Sequence, residues 1–231
     1  MDKYDDNAVV QKFLAETLAE ETANIKKDFS KILELGCGTG LLTRRICDKL
    51  SFQTYFANDL TEKSKKYLDK ILKNYTYISG NAQKISPNTK FDLIISNAMF
   101  QWFKNLDEVT SKYRNMLNKE GILAFTTFSP DNFSELKTIT GLSLDYKSEN
   151  ELNKILEKNY KILKIESYKK ILEFKTPLEL LYHMKNTGVN SLSGKNWSFA
   201  DVKEFCSEYS KNFDKTTLTY SPILVIAQKL N

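Results

Sequence analysis

One short run of residues has the composition of a ligand-binding turn: Glu34–Gly40, which reads ELGCGTG. Its three glycines permit a sharp turn and let a ligand approach the backbone closely. The run follows an apolar segment, Lys31–Leu35, and precedes a stretch with helical periodicity, Leu41–Leu50. Ligands in open α/β sheets bind at the carboxyl ends of strands, where this turn would lie. The spacing is neither the GxGxxG of dinucleotide-binding folds nor a phosphate-binding loop, because no Lys-Ser/Thr follows.

The elements that position this turn alternate in type along the first half of the chain. Strands are predicted at Lys31–Leu35, Thr54–Ala57, Tyr75–Ser79, Phe91–Ser96 and Gly121–Phe128. Helices are predicted at Leu41–Leu50, Glu62–Leu72 and Leu106–Leu117. Alternation of this kind is typical of a parallel sheet with helices on both faces.

The second half of the chain has a different pattern. A helix is predicted at Asn150–Asn159, long strands at Tyr160–Phe174 and Leu218–Gln228, and two further helices at Pro177–Lys185 and Phe199–Lys211. About 40 residues separate the two strands, far more than an antiparallel pair needs. We therefore interpret Thr176–Lys215 as a helical insertion, and we call this segment the lid.

Length and composition favour a single soluble enzyme-sized domain spanning residues 1–231. The chain has 231 residues, 41% of them hydrophobic, and no apolar run approaches the ~20 residues of a membrane span. Its acidic N-terminus lacks a secretory signal, and three sparse cysteines are typical of a reducing compartment, so we expect a cytoplasmic protein. With one histidine and no CxxC spacing, no metal site and no hydrolase triad are expected.

The basic charge does not indicate a nucleic-acid partner. The formal net charge is +5, but all except three of the basic residues are lysine. Proteins that read nucleic acids usually place arginine where bidentate contacts matter. We expect only a general attraction to acidic partners.

ELGCGTG resembles the first motif of class I S-adenosylmethionine-dependent methyltransferases, and the resemblance covers most of the first half. In that family the glycine turn contacts the amino-acid and ribose parts of the cofactor, and an acid after the second strand binds the ribose hydroxyls. Asp59 stands there, and a carboxylate can accept hydrogen bonds from two adjacent hydroxyls. The family usually has an acidic residue after the third strand that binds the adenine amine, and this chain has Asn81 at that position. The resemblance also implies that Asn97, after the fourth strand, lies beside the sulfonium of the cofactor. The implied cofactor residues are Glu34, Gly36, Gly38, Gly40, Asp59, Leu60, Asn81, Ala82, Gln83 and Asn97.

Peripheral segments resemble one family within this class, the malonyl-acyl-carrier-protein O-methyltransferases of biotin synthesis. The similar segments are YDDNAVVQKFLAETL from Tyr4, SNAMFQWF (Ser96–Phe103), FSPDNFSEL (Phe128–Leu136) and FKTPLELLYHMKNTGVNSL (Phe174–Leu192). The resemblance implies a Rossmann-like fold with a seven-stranded, mostly parallel sheet, helices on both faces and the lid between the last two strands. It also implies methylation of the free carboxylate of a malonyl thioester, with S-adenosylhomocysteine as the second product.

A carboxylate acceptor suits a chain without an evident general base. Its pKa lies far below 7, so it arrives ionised, and catalysis would come from positioning and exclusion of water. No catalytic base is therefore expected. The candidate acceptor-binding residues are Tyr4, Gln101, Trp102, Tyr146, Tyr182 and Lys185. The seven lysines of residues 154–175, or the lid, could dock an acidic acyl carrier protein, and we expect a monomer.

Three alternatives stay open at this stage. The first is a methyltransferase of another small carboxylic acid or quinone precursor, which would act on free acids without a carrier. The second is a sensor that binds the cofactor without turnover. The third, an RNA methyltransferase, would need an arginine-rich patch or an added RNA-binding domain, and neither is evident. His183 is interpreted as a helix-face residue, and Lys185–Gly188 could also be a plain helix end.

Overall fold

The computed structural model describes residues 4–188 and 197–230. Strands of the first half are β1 (Asp28–Leu35), β2 (Ser51–Asp59), β3 (Thr76–Ser79), β4 (Phe91–Ser96) and β5 (Leu117–Phe128). Its helices are α1 (Tyr4–Asn7), α2 (Val9–Ile25), α3 (Leu41–Lys49), α4 (Lys65–Leu68) and α5 (Leu106–Met116). The second half adds α6 (Ser134–Thr140), α7 (Glu149–Leu156), β6 (Tyr160–Ser167), β7 (Lys170–Phe174), α8 (Pro177–Asn186), α9 (Phe199–Asn212), β8 (Thr216–Tyr220) and β9 (Pro222–Lys229).

The described strands form a seven-stranded sheet in the order β3-β2-β1-β4-β5-β9-β6. The first five strands are mutually parallel, and β9 runs antiparallel between β5 and β6. Leu35 at the end of β1 is paired with Asn58 on one side and Ser96 on the other. The carboxyl ends of β1, β2 and β4 therefore lie at one edge, and the predicted mostly parallel sheet is confirmed.

Helices cover both faces of this sheet, because successive strand residues point to opposite faces. On β1, Ile32 joins an apolar layer with α2 and α3, whereas Leu33 and Leu35 join a second layer with α5 and α7. Glu34 points to the same side as Ile32, so its carboxyl enters the first apolar layer. The predicted helices on both faces are confirmed.

The two long strands predicted for the second half are each interrupted. Residues 160–174 divide into β6 and β7, and the final strand divides at Ser221 into β8 and β9. Pro222 begins β9 and has no N–H to donate, so the ladder of the main sheet is broken there. Beyond the break, β7 and β8 leave the main sheet and pair only with each other, from Lys170 opposite Tyr220 to Phe174 opposite Thr216.

The lid segment follows β7 and leads into β8, so the two-stranded ribbon carries it. Its described parts are α8 and α9, and residues 189–196, which include the end of the predicted Phe174–Leu192 segment, lie outside the described residues. Leu180 and Met184 of α8 and Phe205 of α9 share a third apolar cluster with Leu14 of α2. That this segment opens and closes, and that it belongs to one domain with the rest, stay predictions.

The helix predicted at Glu62–Leu72 is shorter than expected. A single 3₁₀ turn at Glu62–Ser64 leads into α4, and the following amides of Lys70 and Ile71 bond three residues back instead of four. Lysines crowd this stretch, and like charges one turn apart destabilise a helix.

Candidate active site

The glycine turn after β1 is built from residues in a left-handed backbone conformation. Gly36 and Gly40 have φ of +68° and +79°. A Cβ on Gly36 would lie 2.6 Å from Sδ of Met99, and one on Gly40 would lie 2.4 Å from Cδ1 of Ile71. The turn therefore requires glycine for its backbone angles and for the close approach of its neighbours.

Asp59 at the end of β2 holds this turn from the side. Its Oδ2 accepts a 2.9 Å hydrogen bond from the amide of Gly38, and its Oδ1 accepts one of 3.1 Å from Thr61. Each carboxylate oxygen keeps a further lone pair that could accept from a ligand hydroxyl. The neighbouring Leu60 is 76% exposed, so its side chain is free to cover a ligand at this edge.

Glu34 is a buried carboxyl directly behind the turn. Its Oε2 accepts 2.6 Å hydrogen bonds from the hydroxyls of Thr43 and Tyr55. Burial raises the pKa of Glu34 to about 7; these two bonds lower it in part, and the charge of Asp59 raises it. A cationic ligand group placed beside Glu34 would favour its ionised form.

Glu34, Gly36 and Gly38 border a cavity of about 230 Å³, which we call the glycine-turn cavity, whereas Gly40, Asp59 and Leu60 are not part of its lining. Its lining residues are Tyr4, Glu34, Gly36, Cys37, Gly38, Thr39, Leu41, Leu42 and Asn97. The predicted cofactor residues at the ends of β1 and β4 thus lie together.

The segment after β3 lies further along the same edge and is held by other parts of the chain. The side chain of Asn58 donates to the carbonyls of Ile78 and Gly80, at 2.8 and 2.9 Å. Oδ1 of Asn81 accepts from the amide of Gln83. Three strand spacings of about 4.8 Å separate β3 from β4, so the predicted site is about 14 Å long. Such a length suits an extended nucleoside with an amino-acid arm.

The Ala82–Gln83 pair is anchored through its carbonyl groups. Ala82 is buried, and its carbonyl accepts from the phenol of Tyr113, while the carbonyl of Gln83 accepts from Nζ of Lys112 at 2.7 Å. The backbone edge that would face an adenine is therefore fixed from α5.

A polar junction fixes the exit of β4. Thr126 on β5 donates to Oδ1 of Asn97 at 2.7 Å and accepts from the amide of Ala98 at 2.8 Å. The amide group of Asn97 also donates to the carbonyl of Gln11. Ala98 has a φ of +51°, which a residue with a side chain rarely adopts, and such strain clusters at binding sites.

A second cavity, of about 220 Å³, lies beyond this junction, and we call it the tyrosine cavity. Tyr4 lines both cavities, so they meet at its side chain. The lining residues are Tyr4, Gln11, Ala98, Gln101, Trp102, Phe128, Asn132, Phe133, Leu144, Tyr146, Thr187, Gly188 and Tyr220.

Four of the six predicted acceptor-binding residues line the tyrosine cavity: Tyr4, Gln101, Trp102 and Tyr146. The other two, Tyr182 and Lys185, are exposed on α8 and are absent from its lining. Asn132 and Tyr220 also line it, and neither was predicted as a site residue from the sequence.

The tyrosine cavity is polar but uncharged. Among the described residues that line it, none has a formally charged side chain. Burial raises the pKa of Tyr4, helped by Asp5, and that of Tyr146, each to about 12. Both phenols are therefore protonated at neutral pH and can donate hydrogen bonds.

The described part of the chain contains neither a membrane-spanning helix nor a candidate metal-binding cluster. No helix there is both long and apolar enough to span a bilayer. His, Cys, Asp and Glu side chains of residues 4–188 and 197–230 form no group of three that could hold a metal ion.

Comparisons with known proteins relate this chain to methyltransferases. Residues 33–125 match the family described as "Methyltransferase domain". The chain is 37% identical to the malonyl-acyl-carrier-protein O-methyltransferase of Calditerrivibrio nitroreducens, over 98% of this chain and 91% of that protein. It is 35% identical to the Bacteroides thetaiotaomicron protein of the same name, over 86% and 82% of the two chains.

Solved structures share the fold. The YcgJ protein of Bacillus subtilis superposes with a TM-score of 0.67 at 13% identity, over 94% of this chain and 98% of that one. N-methyltransferase NodS of Bradyrhizobium japonicum, in complex with S-adenosyl-L-homocysteine, gives a TM-score of 0.59 at 13% identity, over 94% and 86%. At this identity the likeness concerns the fold.

Proposed function

The chain belongs to the malonyl-acyl-carrier-protein O-methyltransferase family, and we propose from this that it methylates the free carboxylate of a malonyl thioester on acyl carrier protein. The methyl donor is S-adenosylmethionine, and the malonyl methyl ester primes pimeloyl synthesis for biotin. The observation that carries the proposal is the meeting of two cavities at Tyr4. One lies against the glycine turn, and the other offers uncharged hydrogen-bonding groups to an acceptor.

The residues along the sheet edge fit the donor. A Cβ would fill the space at Gly36, so the turn leaves its backbone open to close approach. We assign Asp59 to the ribose hydroxyls, residues 81–83 to the adenine, and Asn97 to the neighbourhood of the sulfonium. Glu34 lies where it can accept from the ammonium of the amino-acid arm.

The acceptor needs no base from this chain. S-adenosylmethionine supplies an electrophilic methyl group on sulfur. The carboxylate oxygen forms the new C–O bond, the C–S bond breaks with its electron pair left on sulfur, and no proton is transferred. The chain's task is to hold the oxygen in line and to exclude water, which the junction at Tyr4 and the apolar walls formed by Phe128 and Phe133 would do.

The acidic carrier requires a docking surface near the mouth of the tyrosine cavity. Gly188 and Trp102, which is 44% exposed, line that cavity, and Lys185 lies three residues before Gly188. Within residues 154–175, Lys158 and Lys164 are engaged in ion pairs with acidic side chains of the chain itself. We propose Lys185 as the docking cation, because it lies outside the cavity and close in the chain to Gly188 of the cavity lining.

Steady-state methylation rates on several acceptors test this function. Malonyl-acyl carrier protein, malonyl-coenzyme A and free malonate would be compared at equal concentration. The highest kcat/KM is expected for the carrier protein. Faster turnover of free small acids or quinone precursors would favour the alternative activity. Cofactor binding without turnover on any acceptor would indicate a sensor.

The monomeric state and the cytoplasmic location are further parts of the proposal. Light scattering after size-exclusion chromatography tests the first, and a dimer mass would contradict it. Fractionation of cells that express the protein tests the second.

A further inference from the structure

Tyr220 is a buried phenol that faces the tyrosine cavity from the end of β8. Tyr220 is 0% exposed to solvent, yet it is one of the residues that line the cavity. Its hydroxyl lies 2.8 Å from Nε2 of His183, which α8 contributes and which is itself buried. A polar pair at such depth is costly unless its hydrogen bonds are satisfied, so its presence at a cavity wall requires an explanation.

The ring of Tyr220 is held tightly in place. Phe133 meets it edge-on at 4.8 Å between ring centres, and the His183 ring stands at 89° to it. His183 in turn packs against Phe174 at 5.2 Å. The hydroxyl therefore has a fixed position, as a group that receives a ligand atom should have.

A second phenol in the cavity is arranged in the same way. Tyr146 accepts a 3.0 Å hydrogen bond from Nδ2 of Asn132. Oδ1 of Asn132 accepts from the backbone amide of Ser221, which fixes which end of its amide faces Tyr146. Because Tyr146 accepts from Asn132, its own proton is free for another partner.

The two phenols both pack against one aromatic ring. Phe128 is 6.5 Å from the ring of Tyr146 and 6.1 Å from that of Tyr220. Burial raises the pKa of Tyr220, a hydrogen bond with the Thr187 side chain lowers it in part, and the charges of Tyr4 and Tyr146 would raise it further. Tyr4, Tyr146 and Tyr220 all line the same cavity. All three are protonated donors at neutral pH.

We propose that Tyr220 and Tyr146 together donate to the acceptor carboxylate, with His183 and Asn132 behind them as positioning residues. This inference rests on the proposed function. A carboxylate only accepts hydrogen bonds, and two phenol donors with buried partners match it. Gln101 also lines the cavity, but one N–H of its Nε2 is already engaged with the carbonyl of Ala98, and its Oε1 accepts no hydrogen bond from the described residues.

His183 completes the pair as a neutral donor. Burial lowers its pKa, so the ring is uncharged and has a single N–H. When Tyr220 donates to the carboxylate, its oxygen can accept that N–H from Nε2. An uncharged site also distinguishes substrate from product: methylation removes the negative charge, and bonds to the neutral ester are weaker than bonds to the carboxylate.

Binding of two carrier-protein thioesters tests the assignment on the full chain. Calorimetry would measure the Kd of malonyl- and of acetyl-acyl carrier protein in the presence of S-adenosylhomocysteine, which prevents turnover. For Tyr220→Phe we expect the Kd of the malonyl form to rise about 10- to 100-fold. The acetyl form lacks the carboxylate that would accept from the Tyr220 hydroxyl. Its Kd should therefore change less than about twofold when that hydroxyl is removed.

Tyr209→Phe is the matched control. Tyr209 is a buried phenol of α9 that donates to the carbonyl of Thr217 and does not line the cavity. It should leave the ratio of the two Kd values unchanged. His183→Phe should raise the KM for the malonyl form with little change in kcat, and His183→Gln, which keeps an N–H, should restore part of the loss.

Each outcome decides between the two proposals. An unchanged malonyl-to-acetyl ratio in Tyr220→Phe, with the wild type active, would overturn the carboxylate assignment alone. A wild type that does not methylate the malonyl form would instead overturn the proposed function. If Tyr220→Phe fails to fold, Tyr146→Phe and His183→Phe carry the test, and a wild-type ratio in both would overturn the assignment.

Discussion

The glycine-turn cavity and the tyrosine cavity meet at Tyr4 but are built in different ways. The first lies at the ends of adjacent parallel strands and has one carboxyl group in its lining, that of Glu34, while Asp59 holds the turn from outside the lining. The second is assembled from α1, the segments after β4 and β5, the end of α8 and the end of β8, and its polar groups are uncharged. In the proposed function, a cationic donor would thus enter a site with an acidic group and an anionic acceptor a site without formal charge.

This difference indicates how the two ligands are treated. Carboxylates beside the donor match its positive charge, which methyl transfer removes from sulfur. The proposed acceptor site would hold the carboxylate through directed hydrogen bonds without a permanent counter-charge, so the oxygen would stay available as a nucleophile. Binding that is equally strong for substrate and transition state would not raise kcat.

The largest effect is expected at the turn itself. Gly36→Ala combines a left-handed φ with a 2.6 Å approach to Met99 and should weaken cofactor binding about 100-fold or more. Gly141→Ala is the control, because Gly141 has the same φ of +68° with nothing within 4 Å of its Cβ position. Calorimetry should show near wild-type cofactor affinity for that variant. Equal losses in both would show that strain alone, and not the crowded turn, is responsible.

Glu34 gives the glycine-turn cavity a pH dependence that the tyrosine cavity lacks. Its folded-state pKa of about 7 is raised above the usual 4.5, so its stabilising contribution is complete below pH 4.5 and is lost as pH rises through 7. At pH 8, Glu34→Gln should stabilise the cofactor-free protein on the order of 3 kcal/mol, and at pH 4.5 it should not. Denaturant unfolding at the two pH values measures this, and a gain of equal size at both would refute the burial argument.

Asp59 is the next site in size of effect. Asp59→Ala should weaken cofactor binding by well over tenfold, because charge-assisted hydrogen bonds are worth about 1.5–3 kcal/mol each. The affinity of this variant for the carrier-protein acceptor should not change, since Asp59 does not line the tyrosine cavity. Unchanged calorimetric affinity for the cofactor would show that the ribose site lies elsewhere.

Lys185 gives the smallest effect, because it is exposed and lies outside both cavities. Lys185→Glu should raise the KM for the acyl carrier protein several-fold at low salt and leave cofactor affinity intact, with the difference shrinking as salt is added. Lys154→Glu, on α7, is the matched charge reversal. A larger effect from Lys154→Glu would move the docking surface to residues 154–175.

The sequence predicted one of these regions far better than the other. The glycine turn, Asp59 and Asn97 lie at the carboxyl ends of β1, β2 and β4, three adjacent parallel strands, so local patterns were enough to bring them to one edge. Tyr220 and His183 are 37 residues apart and meet only because β8 leaves the main sheet at Pro222 and pairs with β7. No local periodicity shows that break, and alternation within a strand does not reveal which wall a tyrosine faces.

Thr126 and Asn58 were missed for a related reason. Each looks like an ordinary strand residue, yet Thr126 links Asn97 to Ala98, and Asn58 fixes the segment after β3. Their roles depend on neighbouring strands, which the sequence does not specify residue by residue. The resemblance of the lid segment correctly indicated the family, although Tyr182 and Lys185 lie outside the cavity.

Intact-protein mass spectrometry tests the central claim most directly. Malonyl- and acetyl-acyl carrier protein would each be incubated with the wild-type enzyme and S-adenosylmethionine. We expect the malonyl form to gain the mass of one methyl group and the acetyl form to gain none, because only the former presents a free carboxylate. No gain on the malonyl form, or an equal gain on both, would contradict the account of a carboxyl methyltransferase.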